Sequence, residues 1–260
     1  MTISHVLAFD IETVPDVEFG RRVLGLEGLS DKQVGYVMQA RQREQTGSEF
    51  LSLEQQQVVA ISVAMRSREG FKVWSLGEPE SHEAELVRRF YDGIDRYTPT
   101  LVSWNGAGFD LPVLHYRAMR HRVQAPRYWE SGDGDQSFRW NNYISRFHWR
   151  HIDLMDVLSG FQGRGRVGLD RMAQLLGFPG KLGMAGDGVW DAHLAGDSIG
   201  IRNYCETDVV NTFLIYLRFE LMRGHLSQAE YDRECALVRD SLQGSGKQHL
   251  REFLAAWPLN

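Results

Sequence analysis

Two carboxylates, Asp10 and Glu12, stand two residues apart in an otherwise apolar run over residues 5–12. The run reads as a buried strand that ends at Thr13, with Pro15 stopping regular pairing. Alternate side chains of a strand share a face, so both acids point the same way. Carboxylates among apolar neighbours are expensive to bury unless cations compensate them. They also lie at the strand's end, where open α/β sheets hold ligands. A strand end that simply reaches water is the other reading of the pair.

Asp208 is a third acid, within Tyr204-Cys205-Glu206-Thr207-Asp208. A helix is predicted over 198–222, and residues four apart share its face, so Tyr204 and Asp208 sit together. Val209, Val210, Phe213 and Leu214 turn part of that helix inward. A lone Asp at such a place is more often solvent-facing. Asp110 is the fourth acid, at the end of Trp104-Asn105-Gly106-Ala107-Gly108-Phe109, a strand-to-helix turn. There it is either a helix cap or a site residue, and Asn105 is either a turn residue or a contact.

The set says more than its members. Four acids at strand ends and on an inward helix face are what hard divalent cations such as Mg²⁺ or Mn²⁺ require. Two such ions can clamp both oxygens of an in-line phosphoryl displacement.

The elements that must position these residues follow from the pattern of the chain. Residues 57–66 and 71–76 read as a hairpin, 81–97 as a helix, and 100–104 as a short strand followed by a helix over about 110–121. Residues 151–154 are a further short strand, 168–176 a helix, 177–188 a glycine-rich loop, and 227–241 a late helix. Ser30 and Gln33 form a capping box in a helical insertion at about 14–56, read as a flap beside the site. Residues 124–148 carry no assignable pattern. The order predicts an α/β fold with a mixed central sheet flanked by helices. A single domain over 1–242 is expected, then a linker and short helical tail over 243–260.

At 260 residues the chain can bury a core without disulfide or structural metal, and Cys205 and Cys235 form no CxxC pair. No run is long and apolar enough to span a bilayer, and the N-terminus lacks the pattern of a signal peptide, so a cytoplasmic protein without membrane contact is expected. A net charge of −5 weighs mildly against gripping long duplexes through phosphates alone. It leaves room for a nuclease whose bound cations provide the positive field.

Phe9-Asp10-Ile11-Glu12-Thr13, Asn105 to Asp110, and Tyr204 to Asp208 resemble, in order, the three exonuclease motifs of the DEDD superfamily. They are most similar to those of the proofreading domains of family B DNA polymerases. The tyrosine before Asp208 resembles the DEDDy subgroup; where the DEDDh subgroup has histidine, this chain has Asn203. The resemblance implies a ribonuclease H-like fold. It further implies a 3′→5′ exonuclease acting on single-stranded or frayed DNA and releasing nucleoside 5′-monophosphates. Asp10, Glu12, Asp110 and Asp208 would hold two divalent cations, Mg²⁺ or Mn²⁺, and Tyr204 would orient the attacking water. Thr13 and Asn105 would contact the terminal nucleotide. About fifty residues follow Asp208, too few for a polymerase domain, so a free-standing exonuclease is expected.

Phe109 and Trp104 are candidates to stack on bases, or core residues. Arg164, Arg166 and Lys181 either track phosphates or are solvated loop charges, and Asp153 either supports the site or is structural at the sheet edge. An RNA 3′-exonuclease with the same carboxylates and a non-catalytic nucleic-acid-binding module are the competing functions.

Overall fold

The structure, a computed structural model, describes residues 5–258. The expected domain has its first four residues outside that range, and the expected tail its last two. A five-stranded sheet has the order β3-β2-β1-β4-β5. Its strands are β1 (Val6–Pro15), β2 (Gln56–Ser67), β3 (Gly70–Ser75), β4 (Thr100–Ser103) and β5 (His151–Asp153). β1, β2 and β3 pair antiparallel, whereas β1, β4 and β5 pair parallel. This is the mixed sheet that a hairpin followed by strand–helix crossovers produces, and it is consistent with a ribonuclease H-like exonuclease fold.

Both faces of β1 are covered. Leu7, Phe9 and Ile11 point into a core shared with α3 (Glu83–Tyr97) and α4 (Asp110–His121). Val6 and Ala8 point the other way, into a core dominated by α8 (Ser198–Met222). Val14, further along that second face, packs on Ile201, Tyr204 and Cys205 of α8. Asp10 and Glu12 fall between Ala8 and Val14 in this alternation, so the pleat itself aims them at α8. The helix is buried over most of its circumference, and its buried polar residues include Glu206, Asp208 and Asn211. α9 (Gln228–Gly244) and α10 (Gln248–Ala256) cover its outer side.

β1 runs two residues past the predicted end at Thr13, because Val14 and Pro15 still oppose Gln57 and Gln56. Proline is tolerated at this last position because β4 pairs only with residues 6–8 of β1, and no inner ladder there needs its N–H. The register with β2 shifts between Glu12 and Thr13, where Val59 is passed over. Such bulges redirect side chains, and this one lies beside the acids. α9 reaches Gly244, so the expected linker at 243 begins later. The helix expected over 168–176 is present as α6 (Leu169–Leu175), whereas two short helices escaped the sequence reading: α5 (Leu154–Leu158) and α7 (Val189–Leu194).

Between β1 and β2 lie α1 (Val17–Leu24) and α2 (Asp31–Thr46), the latter opened by the Ser30–Gln33 capping box. This arm is fixed at its root. Asp16 caps α1 and also accepts from Arg117 of α4 at 2.6 Å. Arg117 is buried and donates to Glu83 of α3 at 2.6 Å from Nε. Residues 124–148 are irregular, but Tyr143 stacks on Tyr128 at 5.5 Å and donates to the Pro99 carbonyl. Among the described residues, no helix is long and apolar enough to cross a membrane.

Candidate active site

Asp10, Glu12, Asp110 and Asp208 line one cleft of about 560 Å³. Three elements deliver them: the stretch of β1 just beyond its pairing with β4, the first turn of α4, and the middle of α8. Thr13, Asn105, Phe109 and Tyr204 line the same cleft, so the fold brings together every site residue expected from the sequence.

Asp110 does not cap α4. Phe109 holds the N-cap position without a side-chain cap bond, and Asp110 is the first helical residue. Its Oδ1 accepts the backbone N–H of Ile11 at 3.1 Å, across 99 residues of sequence. That bond fastens the second acid motif between the two acids of the first. The preceding turn is shaped by close approaches. Asn105 takes a left-handed φ of 67°. A Cβ on Gly106 would lie 2.3 Å from Ser103 Oγ, so only glycine fits there. Asp153 accepts the N–H groups of Asn105 and Ala107 at 3.0 and 2.9 Å, which makes it a support for the turn.

On α8, Tyr204 and Asp208 face the cleft one turn apart, as their spacing predicts. Cys205 turns toward β1, with its thiol 3.5 Å from the Asp10 carbonyl and 3.7 Å from Asp10 Oδ2. Burial keeps this thiol protonated by pushing its pKa up. Lys181, from the glycine-rich loop, donates to the Tyr204 hydroxyl at 2.5 Å and lies 3.7 Å from Asp208 Oδ2. Among the alternatives left by the sequence, Lys181 is therefore no merely solvated charge.

The electrostatics are those of a crowded anionic site. Burial, then repulsion from Asp110, Glu12 and Asp208, raises the Asp10 carboxyl well above the usual range. Burial and Asp208 do the same to Glu12. Burial lifts Asp110 to about 7, against the pull of its hydrogen bond from Ile11. Asp208 rises to about 6 for the same first reason, restrained by Lys181 and by Tyr204. Tyr204 is itself pushed far up by burial and the surrounding acids. Asp208 Oδ1 is buried and has no hydrogen-bond partner. A buried carboxylate oxygen left open among other carboxylates calls for a cation. Asp10 and Glu12 have ligand atoms within 4.8 Å of each other and of Cys205 Sγ, an acidic group that could hold a metal ion.

Sequence reasoning missed the outer wall. Phe50 and Gln56, beyond α2, line the cleft, and so does Trp190 of α7. The Phe50 ring meets Phe109 at 5.4 Å between centroids, while its residue stays 60% exposed. Gln56 accepts from Thr13 Oγ1 at 2.8 Å and donates to the Leu51 carbonyl at 3.0 Å. No local pattern marks Phe50 or Gln56, because only the return of the arm to β2 brings them to the site, and α7 is too short for its spacing to tell where Trp190 faces. Phe109 and Trp104 each serve two surroundings: both line the cleft, Phe109 packs at the edge of the α3–α4 core, and Trp104 is buried in the α8 core.

No curated protein was found to match the chain. A family model described as a predicted 3′-5′ exonuclease related to the exonuclease domain of PolB matches residues 48–257. The match includes Asp110, Tyr204 and Asp208, and it begins beyond β1. With most of its length matched, the chain belongs to this family of predicted 3′-5′ exonucleases related to the exonuclease domain of PolB.

Proposed function

We propose that the protein is a metal-dependent 3′→5′ exonuclease that trims single-stranded or frayed DNA and releases nucleoside 5′-monophosphates. The observation that carries this reading is the convergence of Asp10, Glu12, Asp110 and Asp208 on one cleft, where their burial raises all four pKa values. The donors fit two Mg²⁺ or Mn²⁺ ions: carboxylate oxygens are the ligands these ions favour, and Asp208 keeps an unpartnered one. Asp10, Glu12 and Asp208 would hold one ion, and Asp10 with Asp110 the other. Ions bound there supply Lewis acidity, which makes water nucleophilic at neutral pH and offsets charge on the leaving oxygen.

The chain's own groups do the remaining work. Tyr204 keeps its proton and orients the attacking water through its hydroxyl, and Lys181 fixes that hydroxyl in place. Asn105 and the backbone around Thr13 contact the terminal nucleotide, and Phe109 with Phe50 offers its base a stacking surface. In this reading residues 1–242 are one exonuclease domain, with α1 and α2 as an arm inserted at about 14–56.

The test is incubation with 5′-labelled single-stranded DNA and RNA of matching sequence, with Mg²⁺ or Mn²⁺, beside Asp10→Ala and Asp208→Ala. A ladder shrinking from the 3′ end, lost in both variants and in chelator, is the expected result. Faster trimming of RNA would reassign the substrate. Intact polymers under every metal, with folded protein, would leave a nucleic-acid-binding module.

A further inference from the structure

Residues 139–166 differ in character from the rest of this acidic chain. They carry five arginines, no lysine and only two carboxylates, Asp153 and Asp156, both of which are buried. Large apolar side chains stand exposed among them, with Trp140 at 81% and Phe147 at 71%. Aromatic rings left in water beside guanidinium groups are unusual on a protein that covers its own core.

The arrangement is built. Asp156 is held by Arg166 at 2.6 Å and approached by Arg146 at 3.5 Å. Two guanidiniums on one carboxylate leave a local surplus of positive charge. Arg146 also lies over the Phe161 ring, 4.7 Å from its centre, and Phe161 meets Phe147 edge-on at 5.5 Å. Phe161 holds a left-handed φ of 61°, a conformation that costs a bulky residue energy and that glycine would take more cheaply.

One hydrogen bond ties this segment to the cleft wall. Trp104, in the cleft wall, donates from its indole nitrogen to the Val167 carbonyl at 3.1 Å. Val167 follows Arg166, which reaches Asp156 and so Arg146. The contacts thus run from Trp104 to Val167, from its neighbour Arg166 through Asp156 to Arg146, and from Arg146 to the Phe147–Phe161 pair.

We propose that residues 139–166 form a track for single-stranded nucleic acid that leads into the cleft, which extends the exonuclease reading above to how the substrate is held. The occupant follows from chemistry. Spaced guanidiniums with no exposed carboxylate match a phosphate backbone, and the exposed rings match unpaired bases, which stack without regard to sequence. A duplex would leave the rings without partners, because its bases are already stacked.

The experiment uses the full chain, with binding measured in chelator so that nothing is cut and trimming measured separately with Mn²⁺. Binding of labelled single strands of about 5 and about 20 nucleotides, bracketing the footprint such surfaces cover, is compared for the unaltered protein, Phe147→Ala/Arg164→Gln, the single variant Arg164→Gln, and Arg88→Gln on α3 as control. Arg164 and Arg88 are exposed, so their replacement leaves packing intact. The longer strand binds more tightly to the unaltered protein. The double variant loses about tenfold of its affinity for that strand. Each arginine removed lowers the slope of log affinity against log salt by about 0.7. Binding and metal-dependent trimming of the short strand stay unchanged, as does the control. Equal affinity for both lengths, or a parallel loss for the short strand, overturns the track while trimming still upholds the exonuclease. Loss of long-strand binding in a protein that trims neither strand upholds the track and removes the exonuclease.

Discussion

The Asp153 carboxylate holds the backbone N–H of Asn105 at 3.0 Å, joining the end of β5 to the turn that ends at Asp110. The same carboxylate takes the N–H of Ala107 and of two residues at the start of α5. Removing it with Asp153→Ala leaves these donors unmet and is expected to lower stability by about 1–3 kcal/mol. The turn would loosen with it, so kcat should fall more than KM rises. Denaturant unfolding and steady-state kinetics read the two effects. Unchanged kcat in a folded variant would show that the turn holds its shape without this support.

Crowding of acids sets a trade between stability and function. Asp10→Asn and Glu12→Gln each replace a carboxyl, whose charged form burial and repulsion disfavour in the fold, by a neutral amide. The metal-free melting temperature should therefore rise by roughly 2–4 °C. Turnover should fall by about 10²-fold or more. A melting temperature that drops in both variants would mean that other contacts of these carboxylates outweigh their repulsion.

Asp110 at about 7 and Asp208 at about 6 lie above the ordinary Asp value of 3.8. The fold therefore keeps protons that the unfolded chain has already released. Their contribution to stability is full below 3.8 and is lost as pH rises through about 6 and about 7. Half-buried His115 and buried His151, each lowered to about 4 by desolvation, act in the opposite sense, since they favour the fold less as pH falls below 6.5. The metal-induced rise in melting temperature isolates the acids, because the histidine contribution is common to both measurements. That rise, read with and without Mn²⁺ by calorimetry, should grow as pH passes from about 6 to above about 7, where metal no longer competes with protons. A metal effect independent of pH over that window would exclude these carboxyls as the ligands.

Tyr204 stays protonated across the working range. Tyr204→Phe should lower kcat by about tenfold, the worth of one hydrogen bond of ~1–1.5 kcal/mol, and leave the shape of the pH–rate profile unchanged. Loss of a basic limb from that profile would instead make the phenol a proton acceptor. Lys181→Met should reproduce part of the loss, and much less of it in the Tyr204→Phe background, because the amine meets that hydroxyl.

Phe50 reaches the cleft from the arm and touches Phe109 there. Phe50→Ala should raise KM for single-stranded DNA about tenfold with kcat nearly constant, as loss of one stacking partner does. An equal fall in kcat would mean that the ring also places the scissile bond.

The acids were legible in the sequence because two independent rules met at them. Strand alternation put Asp10 and Glu12 on one face, and helical spacing put Tyr204 and Asp208 on another, before any fold was known. The Asp110–Ile11 bond was not legible, since no local rule pairs residues 99 apart, and capping was a sufficient local reason for that Asp. Pro15 misled for a comparable reason: proline stops a ladder only where its N–H is needed, and that depends on which neighbour strand extends past it. Phe50 sat in a polar stretch with no periodicity to report its direction. The order of elements conveyed the mixed sheet, whereas the short α5 and α7 fell below the length at which apolar spacing is informative.

Arg117 lies between Asp16 at the root of the arm and Glu83 in the body. One guanidinium answering two buried carboxylates makes the arm and the body a single heritable unit. A chimera that transplanted the arm from a relative without Asp16 would leave Glu83 as the arginine's remaining acid in the pair, and a graft onto a body without Arg117 would leave Asp16 to Arg120 and Glu83 to His121, two weaker holds on buried acids. Substitutions at these three positions should therefore arise together, and the tip near Phe50 should be free to diversify alone.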